Sequence, residues 1–225
     1  MLRKGARIVT KNGLNFVLGA GDKPLRFKPW LGDSFAFLYD AIMKKSVFPR
    51  KFGADMERHY LILRQELENI QKKRVLELAT GSGSAVNFLS HSNQYAGTDI
   101  SPGLLKKAVK KFRSAGFVEA DFYLASAHDL PFADETFEVC LCILSLNFFD
   151  NLEQVFQEVN RVLAGGSLLL CSVPVPERNR LGRTIRGRLH SEDVLRQTLE
   201  KNGFRFESLP WANGALLYFK GVKRD

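Results

Sequence analysis

Residues 74–90 constrain the fold more than any other stretch of this chain, because their pattern is typical of a buried strand, a glycine turn and a helix start. The strand is mainly apolar but contains an acid, Glu77. Small residues follow the acid at every second position: Ala79, Gly81 and Gly83. Small residues in a turn let a ligand approach the backbone closely, and a helix start presents unpaired N–H groups. The stretch therefore predicts a nucleotide-type ligand loop at the end of a strand.

A second acid, Asp99, closes the next apolar segment. An acid about 20 residues after a glycine loop, at the end of the second strand, is placed to bind ribose hydroxyls. Asp99 is also a residue type that caps helices. Ser101 is the better cap, because Pro102 then takes the first helical position, and this leaves Asp99 for the ribose. A dinucleotide fingerprint is incomplete, because Val86 stands where it requires a third glycine.

Four blocks of the sequence, taken in order, resemble the class I S-adenosylmethionine-dependent methyltransferases. They are the acid and glycine loop at 77–83, a Leu-Pro-Phe segment within 125–137, the segment 143–149, and a helix, glycine turn and strand over 158–171. The resemblance is to the group of the ubiquinone and menaquinone biosynthesis methyltransferases, with a type 11-like domain. It implies S-adenosyl-L-methionine as cofactor and S-adenosyl-L-homocysteine as product.

The resemblance also implies which residues face the cofactor. The methionine part would lie against Glu77 and the turn that follows it, formed by Ala79, Thr80, Gly81 and Gly83. The ribose and adenine would lie against Asp99, Ile100, Ser126 and Ala127. Many relatives carry aspartate at the Ser126 position and glycine at the Ala79 position. Asn147 stands where relatives often have His or Asn near the methyl group; the alternative is a turn residue at a strand end.

Strand and helix patterns alternate from residue 74 onward, which predicts a parallel sheet with helices on both faces. The predicted class is α/β, a Rossmann-like, doubly wound, mostly parallel seven-stranded sheet with an antiparallel last strand. Residues 73–225 form the predicted methyltransferase domain. Residues 1–72 form a basic arm and a helical cap, with helices over 33–43 and 54–71 separated by a break at 48–52. A further helix is predicted at 83–91.

Two segments are candidates for binding the methyl acceptor. Tyr39, with the acid after it, resembles a Tyr-Asp pair near the start of quinone-biosynthesis methyltransferases, where that element covers the cofactor; the alternative is a packing helix. The loop after the fifth strand of the domain is rich in arginine, including Arg178, Arg180 and Arg183. Arginine binds carboxylate and phosphate in two-point contacts, which suits an anionic acceptor. The alternative is a solvated loop. No catalytic base and no metal ligand is assigned.

The net charge of +9 comes mainly from residues 1–51, which hold eleven Lys and Arg against three Asp. The electrostatic field of such a charge influences which partners the protein binds rather than how it folds. The leading hypothesis is a methyltransferase for a small-molecule or lipid-like acceptor, with peripheral membrane contact through the basic N-terminus. The alternatives are an RNA methyltransferase that uses the basic arm, and a cofactor-binding protein without catalysis. Three cysteines in apolar segments, together with the absence of a membrane span and of a signal peptide, predict the cytoplasm. The oligomeric state is left open.

Overall fold

The computed structural model describes residues 1–27 and 38–225. Its strands are β1 Ile8–Lys11, β2 Leu14–Val17, β3 Arg74–Leu78, β4 Gln94–Asp99, β5 Ala120–Leu124, β6 Phe137–Ile143, β7 Leu163–Pro174, β8 Phe204–Ser208 and β9 Leu216–Lys223. Its longer helical segments are α1 Tyr39–Ile42, continued by a π-helix over Met43–Phe52, then α2 Met56–Glu66, α3 Pro102–Ser114, α4 Leu152–Val162 and α5 Glu192–Lys201. Within these residues, no helix is long and apolar enough to cross a membrane.

Nine strands of the described chain form one sheet in the order β1-β2-β5-β4-β3-β6-β7-β9-β8. The strands β3 to β7 pair in parallel, and β9 is antiparallel to both β7 and β8. The predicted Rossmann-like class and the antiparallel last strand are therefore confirmed. The count of seven strands was too low, because the N-terminal hairpin β1–β2 adds two strands by pairing β2 with β5.

Apolar side chains of the central strands pack into two hydrophobic cores. Successive residues of β3 alternate between them, with Val75 in one cluster and Leu76 and Leu78 in the other. Because neighbouring residues of a strand point to opposite faces, the two clusters lie on opposite faces of the sheet. The three cysteines are free and buried.

Two helix starts are capped by serine hydroxyls, and the first of these serines is the predicted cap, Ser101. The Ser101 hydroxyl accepts a hydrogen bond from the N–H of Leu104, with Pro102 at the first helical position of α3. The Ser191 hydroxyl caps α5 in the same way. Both caps satisfy a backbone donor that the first helical turn leaves without a partner.

Two predicted elements were wrong, and a third, a helix that the structure confirms, was predicted too long. The break at 48–52 is helical, because a π-helix runs through Pro49 and ends at Gly53, which has a φ of 60°. The helix predicted at 83–91 is only a 3₁₀ turn, Ser84–Asn87. The helix predicted at 54–71 ends at Glu66. Residues 33–37 of the first predicted helix lie outside the described residues.

A buried polar network joins α2 to the sheet. Nδ1 of His59 lies 2.8 Å from the hydroxyl of Tyr218 on β9, and that hydroxyl accepts a hydrogen bond from the Asn213 amide at 3.1 Å. Asn213 also exchanges hydrogen bonds of 2.8 and 2.9 Å with the backbone of Asp55, the N-cap of α2. Burial lowers the pKa of His59 to about 3, so this histidine is neutral and structural at neutral pH.

Replacing Tyr218 with Phe is expected to lower the free energy of unfolding by about 1–3 kcal/mol, because the polar atoms of His59 and Asn213 lose a buried partner. Urea unfolding of the wild type and Tyr218→Phe measures this loss. Tyr123→Phe on β5 is the matched control, since the Tyr123 ring packs edge-on against Phe132 within the core. An equal loss in both variants would show that the network contributes nothing specific.

Candidate functional site

The candidate site lies at the carboxyl ends of β3 and β4. The strand β3 pairs with β4 on one side and with β6 on the other. The chain therefore builds one half of the sheet from β3 through β4 to β5, and then crosses back to β6. In open α/β sheets, ligands bind outside the carboxyl ends of the strands at such a switch point.

Glu77 is buried on β3 and shares its carboxylate with two hydroxyl groups. The Thr80 hydroxyl donates to Oε2 at 2.5 Å, and the Tyr95 hydroxyl on β4 donates to the same oxygen. Burial raises the pKa of Glu77 to about 7, against the opposing effect of these two hydrogen bonds. Glu77 is therefore poised between its neutral and ionised forms near neutral pH.

Gly97 makes the room for this cluster. It is the residue of β4 directly opposite Glu77. A Cβ atom at Gly97 would lie 2.8 Å from the Thr80 hydroxyl oxygen and 2.9 Å from a ring carbon of Tyr95. Tyr95 was not identified as a site residue from the sequence. The signal for it is Gly97, a glycine on one strand that lies opposite the acid of the paired strand and leaves room for the Tyr95 ring.

The turn after β3 is left-handed at its small residues. Ala79 has a φ of 49° and Gly81 a φ of 56°. Among the described residues, a Cβ atom on Gly81 would meet only one atom, the carbonyl oxygen of Ala79 at 3.9 Å, so these residues leave space at this part of the turn. At Gly83 a Cβ atom would lie 2.8 Å from Cα of Ala108. Gly83 is therefore required by the close approach of α3, whereas Gly81 leaves space on the turn.

Asp99 ends β4 and is tied to the turn and to α3. Oδ2 of Asp99 accepts from the N–H of Gly81 at 2.8 Å, and Oδ1 accepts from the N–H of Ser101 at 2.8 Å. Ile100, the next residue, exposes 43% of its surface although it is apolar. The end of β4 thus presents a fixed carboxylate beside an exposed apolar side chain.

The loop after β5 contributes Ser126 and Ala127. Ala127 is buried, and the Ser126 hydroxyl lies 3.2 Å from Nδ1 of His128 while it accepts from the N–H of His128 at 3.2 Å. Ser126 is thus engaged within its own loop. Nε2 of His128 is buried without a hydrogen-bond partner among the described residues.

Asn147 is buried in the 3₁₀ turn that follows β6 and holds the arginine-rich loop in place. Its Nδ2 donates to the carbonyl of Arg186 at 2.7 Å, and its own carbonyl accepts from the N–H of Arg188 at 2.7 Å. A Cβ atom at Gly187 would collide with Asn147, so only glycine permits this contact. Within the described part of the chain, Oδ1 of Asn147 is buried without a hydrogen-bond partner.

Asp40 on α1 fastens the N-terminal region to the glycine turn. Its carboxylate accepts from the Ser82 hydroxyl at 2.5 Å and pairs with Lys107 and Lys111 of α3 at 3.0 and 2.9 Å. Burial alone would raise the pKa of Asp40, but these hydrogen bonds outweigh it and hold the pKa below its usual value. Sequence reasoning missed the two lysines, since only the tertiary fold brings α1 beside α3.

Tyr39 precedes this acid and lies near the end of β4. Burial and the charges of Asp99 and Asp40 raise the pKa of Tyr39 to about 12. The helix α1 therefore brings a phenol close to the Asp99 carboxylate, while Asp40 fixes the helix position.

The arginines of the loop after β7 take different positions. Nη1 of Arg178 donates to the carbonyls of Trp211 and Leu216 at 2.8 and 3.0 Å, and Nη1 of Arg183 donates to the carbonyl of Pro49 at 2.6 Å. Arg180 is exposed. All three line a cleft of about 550 Å³ together with Trp211. Among the described residues, no group of three His, Cys, Asp or Glu side chains could hold a metal ion.

Comparisons with known proteins agree with this geometry. The sequence model of the family described as "Methyltransferase domain" matches residues 76–171. A demethylmenaquinone methyltransferase of Thermus thermophilus is 32% identical over 139 residues, which are 60% of this chain and 62% of the relative. A phthiotriol/phenolphthiotriol dimycocerosates methyltransferase of Mycobacterium leprae is 31% identical over 104 residues, 45% of this chain and 37% of the relative. The chain thus spans less than two thirds of either relative.

A solved structure with this fold is the YcgJ protein of Bacillus subtilis. It has a TM-score of 0.64 at 16% identity and covers 75% of this chain and 99% of its own. Residues 76–171 thus match a methyltransferase domain, and the fold is that of the solved structure. Over part of its length the chain is similar to proteins named as methyltransferases of ubiquinone and menaquinone biosynthesis.

Asp40→Asn is expected to lower the free energy of unfolding by about 1 kcal/mol at neutral pH, because it breaks two partly exposed ion pairs at once. Since the pKa of Asp40 is lowered, this contribution is complete above the usual aspartate pKa and is lost as the pH falls through the folded value. Thermal unfolding at neutral and acid pH measures the effect. Asp22→Asn, which breaks an exposed pair with Arg7, is the control. A difference that persists at acid pH would contradict the ion-pair explanation.

Proposed function

We propose that this protein transfers the methyl group of S-adenosyl-L-methionine to a small-molecule or lipid-like acceptor, with S-adenosyl-L-homocysteine as product. The observation that carries the proposal is the pair of acids, Glu77 and Asp99, at the ends of adjacent parallel strands on either side of an open glycine turn. The described residues fit the cofactor, because among them there is space at Gly81, an exposed apolar residue at Ile100 and a buried oxygen on Asn147 without a hydrogen-bond partner.

The cofactor supplies a methyl group on a positively charged sulfur, which leaves the protein to bind, orient and exclude water. In our proposal, Glu77 pairs with the ammonium of the methionine part, and the turn from Ala79 to Gly83, including Thr80, lies against it. Asp99 accepts from the ribose hydroxyls. Ile100, Ser126 and Ala127 border the adenine, and Asn147 lies near the reacting group. No side chain is assigned as catalytic base.

The acceptor side is proposed at the arginine-lined cleft and at α1. Arg178, Arg180 and Arg183 offer guanidinium groups to an anionic part of the acceptor, and Tyr39 covers the cofactor. The named relatives are methyltransferases of demethylmenaquinone and of phthiotriol/phenolphthiotriol dimycocerosates, which favours a lipid-like acceptor here. The cytoplasm and peripheral membrane contact through the N-terminus stay predictions.

The RNA alternative draws less support from the described residues. Two of the basic residues in the N-terminal arm are already paired, Arg3 with Asp129 at 2.7 Å and Arg7 with Asp22. These acids reduce the positive field that the arm would offer to phosphate groups. A cofactor-binding protein without catalysis is the third hypothesis, and it is separated from the first by the labelling experiment below.

The raised pKa of Glu77 leads us to expect a cofactor affinity that depends on pH. With a pKa of about 7, Glu77 is mostly neutral at pH 6 and mostly ionised at pH 7.5. If the ionised form pairs with the ligand ammonium, the affinity for S-adenosyl-L-homocysteine rises roughly five- to tenfold over this range, before the ligand amino group itself loses its proton above about pH 8. Calorimetric titration measures the rise, and Glu77→Gln is expected to give a flat profile. An equal slope in the variant would contradict the pairing.

The carboxylate of Asp99 is expected to contribute strongly to ribose binding. Asp99→Asn keeps the shape of the side chain but removes the charge, and it is expected to weaken S-adenosyl-L-homocysteine binding roughly 10- to 100-fold, the range of a charged hydrogen bond. Asp121→Asn, on β5, is the matched control with an unchanged affinity. An unchanged affinity in Asp99→Asn would refute the ribose assignment.

Methyl transfer itself is tested with tritiated-methyl S-adenosyl-L-methionine and a cell lysate. After reaction, the lysate is separated into small-molecule, lipid, nucleic-acid and protein fractions, with Asp99→Asn as the control enzyme. We expect label in the lipid or small-molecule fraction that depends on the wild-type protein. Label in RNA would support the alternative instead. Cofactor binding without label in any fraction would favour the non-catalytic hypothesis.

A further inference from the structure

Two basic segments far apart in the sequence form one surface at the carboxyl edge of the sheet. They are residues 38–53, which include the π-helix, and residues 175–190, which follow β7. The guanidinium of Arg183 donates to the carbonyl of Pro49 at 2.6 Å and lies close to Gly53. The carbonyl of Phe52 also accepts from the N–H of Ala215 at 2.8 Å, which fixes the helix end against the start of β9.

The charge of this surface is strongly one-sided. The two segments together contain nine Lys and Arg but only two acids, Asp40 and Glu177. Asp40 is already occupied by Lys107 and Lys111 from outside the surface. Lys51 and Arg180 are exposed on the two segments. The surface therefore carries an excess of cations that its own acids do not neutralise.

An exposed leucine stands at the tip of the second segment. Asn179 folds residues 179–183 into a tight turn, since its side chain bonds both the N–H and the carbonyl of Arg183 at 3.0 and 2.9 Å. Leu181 lies at the apex of this turn with 73% of its surface exposed, next to Arg180. A large apolar side chain held out among cations matches a bilayer interface, where anionic headgroups surround an apolar interior.

From this arrangement we infer that the surface formed by residues 38–53 and 175–190 docks on an anionic lipid bilayer, with Leu181 inserted among the lipids. Charge complementarity selects the anionic headgroups, and the apolar tip selects a bilayer over a soluble polyanion. The same surface borders the cleft lined by Arg178, Arg180 and Arg183, so docking would open the cleft toward the membrane. The inference deepens the proposed lipid-like acceptor and locates the membrane contact, but docking is measurable without methyl transfer.

Sedimentation with vesicles tests the inference directly. The full-length protein is mixed with vesicles of phosphatidylcholine alone or with added phosphatidylglycerol, at low and high salt. We expect binding only to the anionic vesicles and a loss of binding at high salt. The double variant Leu181→Asp, Lys51→Glu is expected to lower the bound-to-free ratio about tenfold or more, because it removes one cation and places two acids at the interface.

The matched control is the double variant Val118→Asp, Arg113→Glu. It makes the same change in charge at the opposite edge of the sheet, where Val118 precedes β5 with 92% of its surface exposed. An equal loss of binding in both double variants would overturn the inference, as would equal binding to neutral vesicles. The double variant Leu181→Asp, Lys51→Glu is also tested for binding to an RNA oligonucleotide. If this variant loses RNA binding but keeps vesicle binding, the inference is overturned and the surface is assigned to nucleic acid. If docking fails while labelled methyl still enters a lipid fraction, only the inference falls.

Discussion

The site depends on a carboxylate buried in the middle of a parallel sheet. Glu77 keeps its place on β3 because the hydroxyls of Thr80 and Tyr95 bind one of its oxygens. Neither hydroxyl carries a charge, so burial still raises the pKa of the acid to about 7. No described residue gives this carboxylate a positively charged partner, and in the proposed function the ammonium of the ligand is that partner. The same hydrogen bonds fix the start of the glycine turn, so the cost of burying the acid and the shape of the ligand loop are linked.

Around this acid, hydrogen bonds connect the turn to distant parts of the chain. Gly81 is bonded to Asp99 at the end of β4, and Ser82 is bonded to Asp40 of the N-terminal helix. Because Asp40 also pairs with two lysines of α3, the N-terminal region is held over the turn by charge as well as by packing. The turn is thus fixed from three directions, which suits a site that must hold a flexible ligand in one orientation.

The proposed acceptor side is arranged differently. The side-chain amide and the backbone carbonyl of Asn147 both form hydrogen bonds with the backbone of the arginine-rich loop. The loop in turn contacts the π-helix through a hydrogen bond of Arg183. Cleft, loop and helix therefore form one connected surface beside the proposed cofactor site. In the proposed function, this connection brings an anionic, lipid-like acceptor and the membrane that holds it to the same edge of the sheet as Asp99.

The sequence by itself determined the alternation of strands and helices from residue 74 onward, the cap at Ser101, and the two acids at the strand ends, because these depend on local periodicity and on spacing along one chain. It misjudged the segments at 48–52 and 83–91, where π-helical and 3₁₀ geometry replaced what local propensity indicated. Only the tertiary structure decided that Tyr95 and Thr80 both donate hydrogen bonds to Glu77, and that Asp40 pairs with Lys107 and Lys111. Those partners lie on different elements, and their meeting depends on strand register and helix packing, which no local pattern records.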